Sequence, residues 1–121
     1  MYRVYVAGKL SDMPGKYIMN MHQMIECANR IRELGFAPFT PCLDILLGLV
    51  SGNIKEKEYY KIGLAWVEVS DAMIVLPNSE DSKGTQKEIE AAQKLNIPVF
   101  HNVQKLIAWR EKKIGISNDK G

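Results

Sequence analysis

In the run Ser82-Lys83-Gly84-Thr85-Gln86-Lys87-Glu88, one carboxylate falls where a helix should be apolar. At about 100° per residue, Glu88 shares an arc with Gly84, Ala91, Ala92 and Leu95, whereas Glu90 and Lys94 fall on the opposite side. An ionised carboxylate on the face turned to a sheet is costly unless it is paired, hydrogen-bonded or solvated by a pocket. That anomaly marks Glu88 as the centre of a candidate site. Asp44 is the one charge in the apolar segment Cys42–Gly52 and can be either a helix cap or a pocket residue. His22 sits one position off a helical stripe and reads as surface or pocket rim. Cys27 and Cys42 lack metal-ligand spacing, so no metal is expected.

The elements that must position Glu88 alternate between strand and helix. Tyr2–Ala7 is β-branched and aromatic and ends at Gly8, as a buried parallel strand would. The loop Gly8–Gly15 follows. Gly8 either lets backbone N–H groups approach a ligand or simply makes a plain turn. A helix from Lys16 to Leu34 carries Tyr17, Met21, Met24, Ala28 and Ile31 on one stripe, with Met19, Met21 and Met24 as core filler, and stops at Gly35. Phe36–Phe39 is a second strand, and Cys42–Gly52 a short helix or lid. Lys55–Val69 is a helix with Tyr59, Ile62, Ala65, Trp66 and Val69 as its stripe and Trp66 in the core. Asp71 makes a turn or cap before the third strand, Ala72–Leu76; Ile97–Phe100 is the fourth. A last helix covers Val103–Lys113, and Gly115–Gly121 reads as a frayed, flexible tail behind a single domain of residues 1–114.

This alternation predicts an α/β fold: one doubly wound parallel sheet of four or five strands, flavodoxin-like or Rossmann-like, with helices on both faces. Ligands in such folds bind beyond the carboxyl ends of the strands. The loops Gly8–Gly15 and Pro77–Ser82 should therefore meet there, with Glu88 beside them. At 121 residues, 46% hydrophobic and 25% charged, the chain is long enough for one respectable core. A net charge of +2 is too mild to argue for nucleic acid or an anionic membrane. No apolar run approaches a membrane span, the N-terminus enters strand-like sequence without a signal peptide, and a cytoplasmic protein is expected. Neither a dinucleotide nor a Walker fingerprint is present, and no cofactor is expected.

Three segments together, YVAG after the first strand, LPNSEDSKGTQKE after the third and AAQKLNIPVF beyond it, resemble the nucleoside 2-deoxyribosyltransferase superfamily, and its short bacterial and phage members in particular. The likeness runs from about Tyr2 to Phe100, and its specific part is a D/S-x-G-x-x-x-E motif, here Ser82 to Glu88. The resemblance implies that Glu88 is a nucleophile attacking the anomeric carbon of a nucleoside sugar, with retention through a glycosyl-enzyme ester. It implies that Tyr5 orients that carboxylate; Tyr2 and Tyr5 point to opposite faces of the strand, so one of them alone can serve. The start of the helix is expected to favour the anion. Enzymes acting on free nucleosides carry aspartate at position 82, whereas members with serine there include 5′-monophosphate N-glycosidases. Ser82, with the Gly84 and Thr85 N–H groups, is thus a phosphate site, a simple N-cap, or both. Gly8, Lys9 and Asp44 complete the expected substrate-binding set. Similar enzymes are dimers or larger, which makes Cys42–Gly52 the expected contact between copies.

One position departs from the pattern. The acidic helper found on the helix before the third strand in active relatives aligns with Gly63. Either Asp44, Asp71 or Asp12 stands in for it, the leaving group needs no acid, or the site binds without turnover. Three readings follow: a nucleotide N-glycosidase or deoxyribosyltransferase-like enzyme (a dinucleotide hydrolase being a variant), a non-catalytic nucleotide-binding module of the same family, or another flavodoxin-like domain in which Glu88 is structural. A phosphoreceiver domain is excluded, because Gly8-Lys9 and Pro77-Asn78 stand where its acidic residues belong.

Overall fold

The computed structural model describes residues 1–11 and 13–120. Its centre is Arg3–Ala7 (β1), where Val4, Tyr5, Val6 and Ala7 are at most 1% exposed. Ala37–Phe39 (β2) pairs along one side of it and Ala72–Val75 (β3) along the other, with Val99–Phe100 (β4) beyond β3. All three pairings are parallel and the order is β2-β1-β3-β4, the α/β sheet expected from the sequence. Both outer strands are short and proline-marked: Pro38 lies in the middle of β2, and Pro98 precedes β4, its carbonyl accepting from the Met73 N–H at 2.9 Å.

Helices cover both faces because successive β1 and β3 side chains alternate. Val4, Val6, Ala72 and Ile74 meet Pro14–Glu33 (α1) and Val103–Lys120 (α5) through Met24, Ala28, Ile31, Val103 and Leu106. Tyr5, Ala7, Met73 and Val75 face Glu56–Glu68 (α3) and Lys83–Lys94 (α4) through Val67 and Ala92. Tyr2 and Tyr5 separate accordingly, Tyr2 packing on Trp109 of α5 at 4.9 Å between ring centroids. Between β2 and α3 a 3₁₀ turn, Pro41–Leu43, leads into Asp44–Ser51 (α2). On α2 and the turn before it, Leu43, Leu46, Leu47, Leu49 and Val50 are all more than half exposed. No helix among the described residues is long and apolar enough to cross a membrane.

The α1 stripe and its stop are as the sequence implies, with Gly35 at φ 94° turning the chain where a side chain would be strained. Met19, expected inside with Met21 and Met24, is 60% exposed. The buried face of α3 also differs from expectation. It is built on Gly63 and Val67, whereas Trp66 and Val69 are about half exposed. The true face contains a glycine, whose lack of a side chain leaves a gap in any hydrophobic pattern. Trp66 instead stacks on Phe39 (4.8 Å, 22°), which stacks on Tyr5 (5.6 Å, 27°). At the other end, α5 continues to Lys120, past Gly115 where a frayed tail is expected. A glycine in a helix costs about 1 kcal/mol relative to alanine, which is too little to end a helix by itself.

Ile31 is fully buried between α1 and the sheet. Ile31→Ala should lower unfolding stability by about 2–5 kcal/mol, measured as a fall in urea midpoint at unchanged m-value.

Candidate active site

A cavity of about 600 Å³ opens beyond the carboxyl ends of β1 and β3. Tyr5, Gly8, Lys9, Asp44, Ser82, Gly84, Thr85 and Glu88 all line it, so the residues singled out in the sequence come together there. Three neighbours of that set were not legible: Asp81, and the adjacent tyrosines Tyr59 and Tyr60 in the first turns of α3. The signal available for the last two was the Tyr-Tyr pair itself. Tyr60 packs against the start of α4, where a Cβ on Gly84 would lie 3.0 Å from its ring, and Lys87 sits 4.9 Å over the same ring.

The two loops meet as expected. The Lys9 N–H donates to Ser79 Oγ at 3.1 Å, and the Lys9 ammonium pairs with Asp81 at 2.7 Å. That hydrogen bond from Lys9 holds the Asp81 carboxyl below its usual range. Gly8 is required chiefly by packing, since a Cβ there would meet Leu76 Cδ1 at 2.8 Å. Ser82 is the N-cap of α4: its oxygen accepts from the Thr85 N–H at 3.3 Å and from the Thr85 hydroxyl at 2.9 Å. Thr85 is therefore buried and committed within the chain, at 1% exposure.

Glu88 is the sixth residue of α4, and its ring of neighbours decides its charge. The helix-dipole effect fades within the first turn, so burial wins over the anion-favouring helix start expected from the sequence. Desolvation pushes the Glu88 carboxyl up to about 7, while a hydrogen bond from the Tyr5 hydroxyl pulls it partly back. Burial, with Glu88 next, makes Tyr5 harder to ionise, so it remains a donor. One carboxyl oxygen, Oε2, is buried without a hydrogen-bond partner among the described residues. An orphaned buried oxygen on the wall of a cavity calls for a ligand or a catalytic role.

Gly63 has a physical reason to lack a side chain. A Cβ there would lie 3.0 Å from the Tyr5 hydroxyl oxygen, crowding the group that serves Glu88. Of the three aspartates expected as stand-ins for an acid at that position, Asp71 is excluded. Its carboxylate accepts from the Arg3 N–H at 2.8 Å, at the opening end of β1 and away from the cavity. Asp12 lies outside the described residues. Asp44 makes no side-chain cap for α2 and faces the cavity, where burial raises its carboxyl. His22 is on the surface beside Glu26, at 3.3 Å. Among the described residues, no three His, Cys, Asp or Glu side chains are grouped to hold a metal ion.

The folded protein binds the Glu88 proton more tightly than the unfolded chain does, whose carboxyl titrates near the ordinary 4.5. The stability this provides is present below about pH 4.5 and is lost as pH rises toward about 7, leaving an ionised Glu88 that costs about 3 kcal/mol. Glu88→Gln should therefore stabilise the fold by roughly that amount at pH 8 and much less at pH 4.5. Urea unfolding at the two pH values measures the difference.

Residues 2–101 match the family described as Domain of unknown function (DUF4406). No curated protein matches the sequence. Among solved structures, the fold is similar to that of a 2-deoxyribosyltransferase from the psychrotolerant bacterium Bacillus psychrosaccharolyticus, with a TM-score of 0.58 and 18% identity over 80% of this chain and 69% of that one. At that identity the likeness is one of fold. The family match takes in all four strands together with Tyr5, Asp44, Gly63 and Glu88, and the chain thus belongs to the DUF4406 family across its whole sheet and its cavity.

Proposed function

We propose that this protein cleaves or transfers the N-glycosidic bond of a nucleoside 5′-monophosphate or related nucleotide, with Glu88 as nucleophile. The observation that carries the reading is the orphaned Oε2 of a buried carboxyl, beside Tyr5, on the wall of a cavity of about 600 Å³. That volume suits a small molecule of nucleotide size. The fold shared with a 2-deoxyribosyltransferase supports the same chemistry.

In this reading the ionised Glu88 attacks the anomeric carbon as the base departs, giving a glycosyl ester that water or a second base resolves with overall retention. Tyr5 steadies the carboxylate by its hydrogen bond. The stack of Tyr5 on Phe39 and Trp66 fixes the ring that carries the hydroxyl. A 5′-phosphate would lie at the start of α4, near Lys9 and Lys83, and would take Lys9 from Asp81. Gly63 favours a second reading, a nucleotide-binding module without turnover, because it leaves the cavity wall without an acid at that position of α3. We also infer that the exposed apolar face of α2 is the contact between copies of the chain in a homodimer or larger assembly.

A panel of nucleoside 5′-monophosphates, followed by chromatography for free base, tests the enzyme reading against the module. Base release by the wild type, lost in Glu88→Ala while ligand affinity stays within about tenfold, is the expected result; tight binding with no base released would decide for the module. Because the nucleophile must be ionised, kcat/KM should rise with pH through an acidic limb near 7, and Tyr5→Phe, which removes the hydrogen bond favouring the anion, should move that limb to higher pH. For the assembly, sedimentation should show the wild type as a dimer or larger and Leu46→Asp/Leu49→Asp as a monomer; a monomeric wild type would discard the contact.

A further inference from the structure

Cleavage of an N-glycosidic bond needs a proton as well as a nucleophile, since a neutral base leaves poorly with a full negative charge on its ring nitrogen. Glu88 cannot supply that proton while its oxygen is bonding to the sugar. Among the described residues, three other carboxyls line the cavity: Asp44, Glu56 and Asp81. Asp81 is held as an anion by Lys9 at 2.7 Å and is mostly exposed. Glu56 is exposed in the first turn of α3. Asp44 alone combines partial burial with the absence of a cationic partner among the described residues.

The topology places Asp44 opposite Glu88. Asp44 follows β2, Glu88 follows β3, and β1 lies between those two strands. The two carboxyls therefore flank the end of β1 on either side. Tyr5, on β1, feels the negative charge of both. A substrate laid across the end of β1, with its sugar toward Glu88, puts its base toward Asp44. The support under Asp44 is also specific, since the helix it opens crosses Tyr59 at Gly48, where a Cβ would collide with the Tyr59 hydroxyl. The environments differ in the direction the chemistry requires. Glu88 keeps the Tyr5 hydrogen bond that favours its anion. Asp44 has burial acting on it and no donor to oppose that burial, and a base filling the cavity strips more water from it.

We propose that Asp44 is the general acid of this site, donating its proton to the leaving base while Glu88 takes the sugar. The inference rests on the glycosyl-transfer reading above. In the first step the Glu88–C1′ bond forms and the C1′–N bond breaks; the electron pair of the latter goes to the base nitrogen, and the Asp44 proton goes to the base. In the second step water attacks C1′, the Glu88 ester bond breaks and returns its electron pair to the carboxylate, and the water proton passes to Asp44. An accepting base in place of water returns its N–H proton to Asp44 in the same way, so the acid is reset in either case.

Two substrates that differ in their need for a proton test the role: 2′-deoxyguanosine 5′-monophosphate, and the same nucleotide methylated at N7, whose base already carries a positive charge and leaves without protonation. Asp44→Asn should lower kcat/KM on the first by about 100-fold or more, and on the second by less than tenfold. Activity retained on the methylated substrate shows that the variant is folded. Equal losses on the two substrates, or no loss on either, would overturn the assignment. Glu88→Ala should lose both activities; if it loses neither, the nucleophile reading fails, an outcome distinct from any failure of Asp44.

Discussion

The interaction on which the rest of the site depends is the one between Tyr5 and Glu88. It joins an inner strand of the sheet to the second turn of a helix that packs on it. A carboxyl at that depth is expensive when ionised, and one hydrogen bond offsets only part of the expense. Much of what surrounds the pair can be understood as making room for it. Gly63 keeps α3 clear of the tyrosine hydroxyl, Phe39 and Trp66 hold the tyrosine ring, and Ser82 caps the helix that delivers the carboxyl. A fold that keeps so unfavourable a group gives up stability at that place.

The charges around the cavity are graded rather than uniform. At the mouth, Lys9 and Asp81 form an exposed pair that ties the loop after β1 to the loop after β3. Exposed pairs of this type contribute little to stability, so its value lies in holding the two loops at one spacing, together with the Lys9 N–H to Ser79 contact. Further in, Asp44 has lost part of its water, and at the floor Glu88 has lost most of it. Carboxyls at three depths thus have three different affinities for a proton within one small volume.

Much of this was legible in the sequence. The alternation of β-branched runs with helical stripes gave the sheet and its helices, because buried strands and amphipathic helices leave different periods. Glu88 stood out because it broke such a period; strand alternation put Tyr2 and Tyr5 on opposite faces, and the family resemblance pointed to Tyr5. What stayed hidden was what periodicity cannot carry. Gly63 occupies the buried face of α3 and contributes no hydrophobicity, so the stripe was read through Trp66, which lies half exposed on a neighbouring arc. The Lys9–Asp81 pair joins two loops far apart in the chain, and nothing local announces it. Gly115 looked like an end, yet helix α5 passes through it. The role of Gly8 as a packing glycine depended on Leu76, which is distant in sequence and near only once β1 and β3 are side by side.

The two outer strands have a consequence for how copies of this chain can meet. β2 is three residues long with Pro38 at its centre, and β4 is two residues long behind Pro98. A strand this short offers few free backbone donors, and a proline within it removes one more. Neither edge of the described sheet is a template on which another chain could extend the ladder. Growth of the sheet from copy to copy, the first step toward fibrous association, is thereby blocked at both ends even though apolar side chains are exposed elsewhere on the surface.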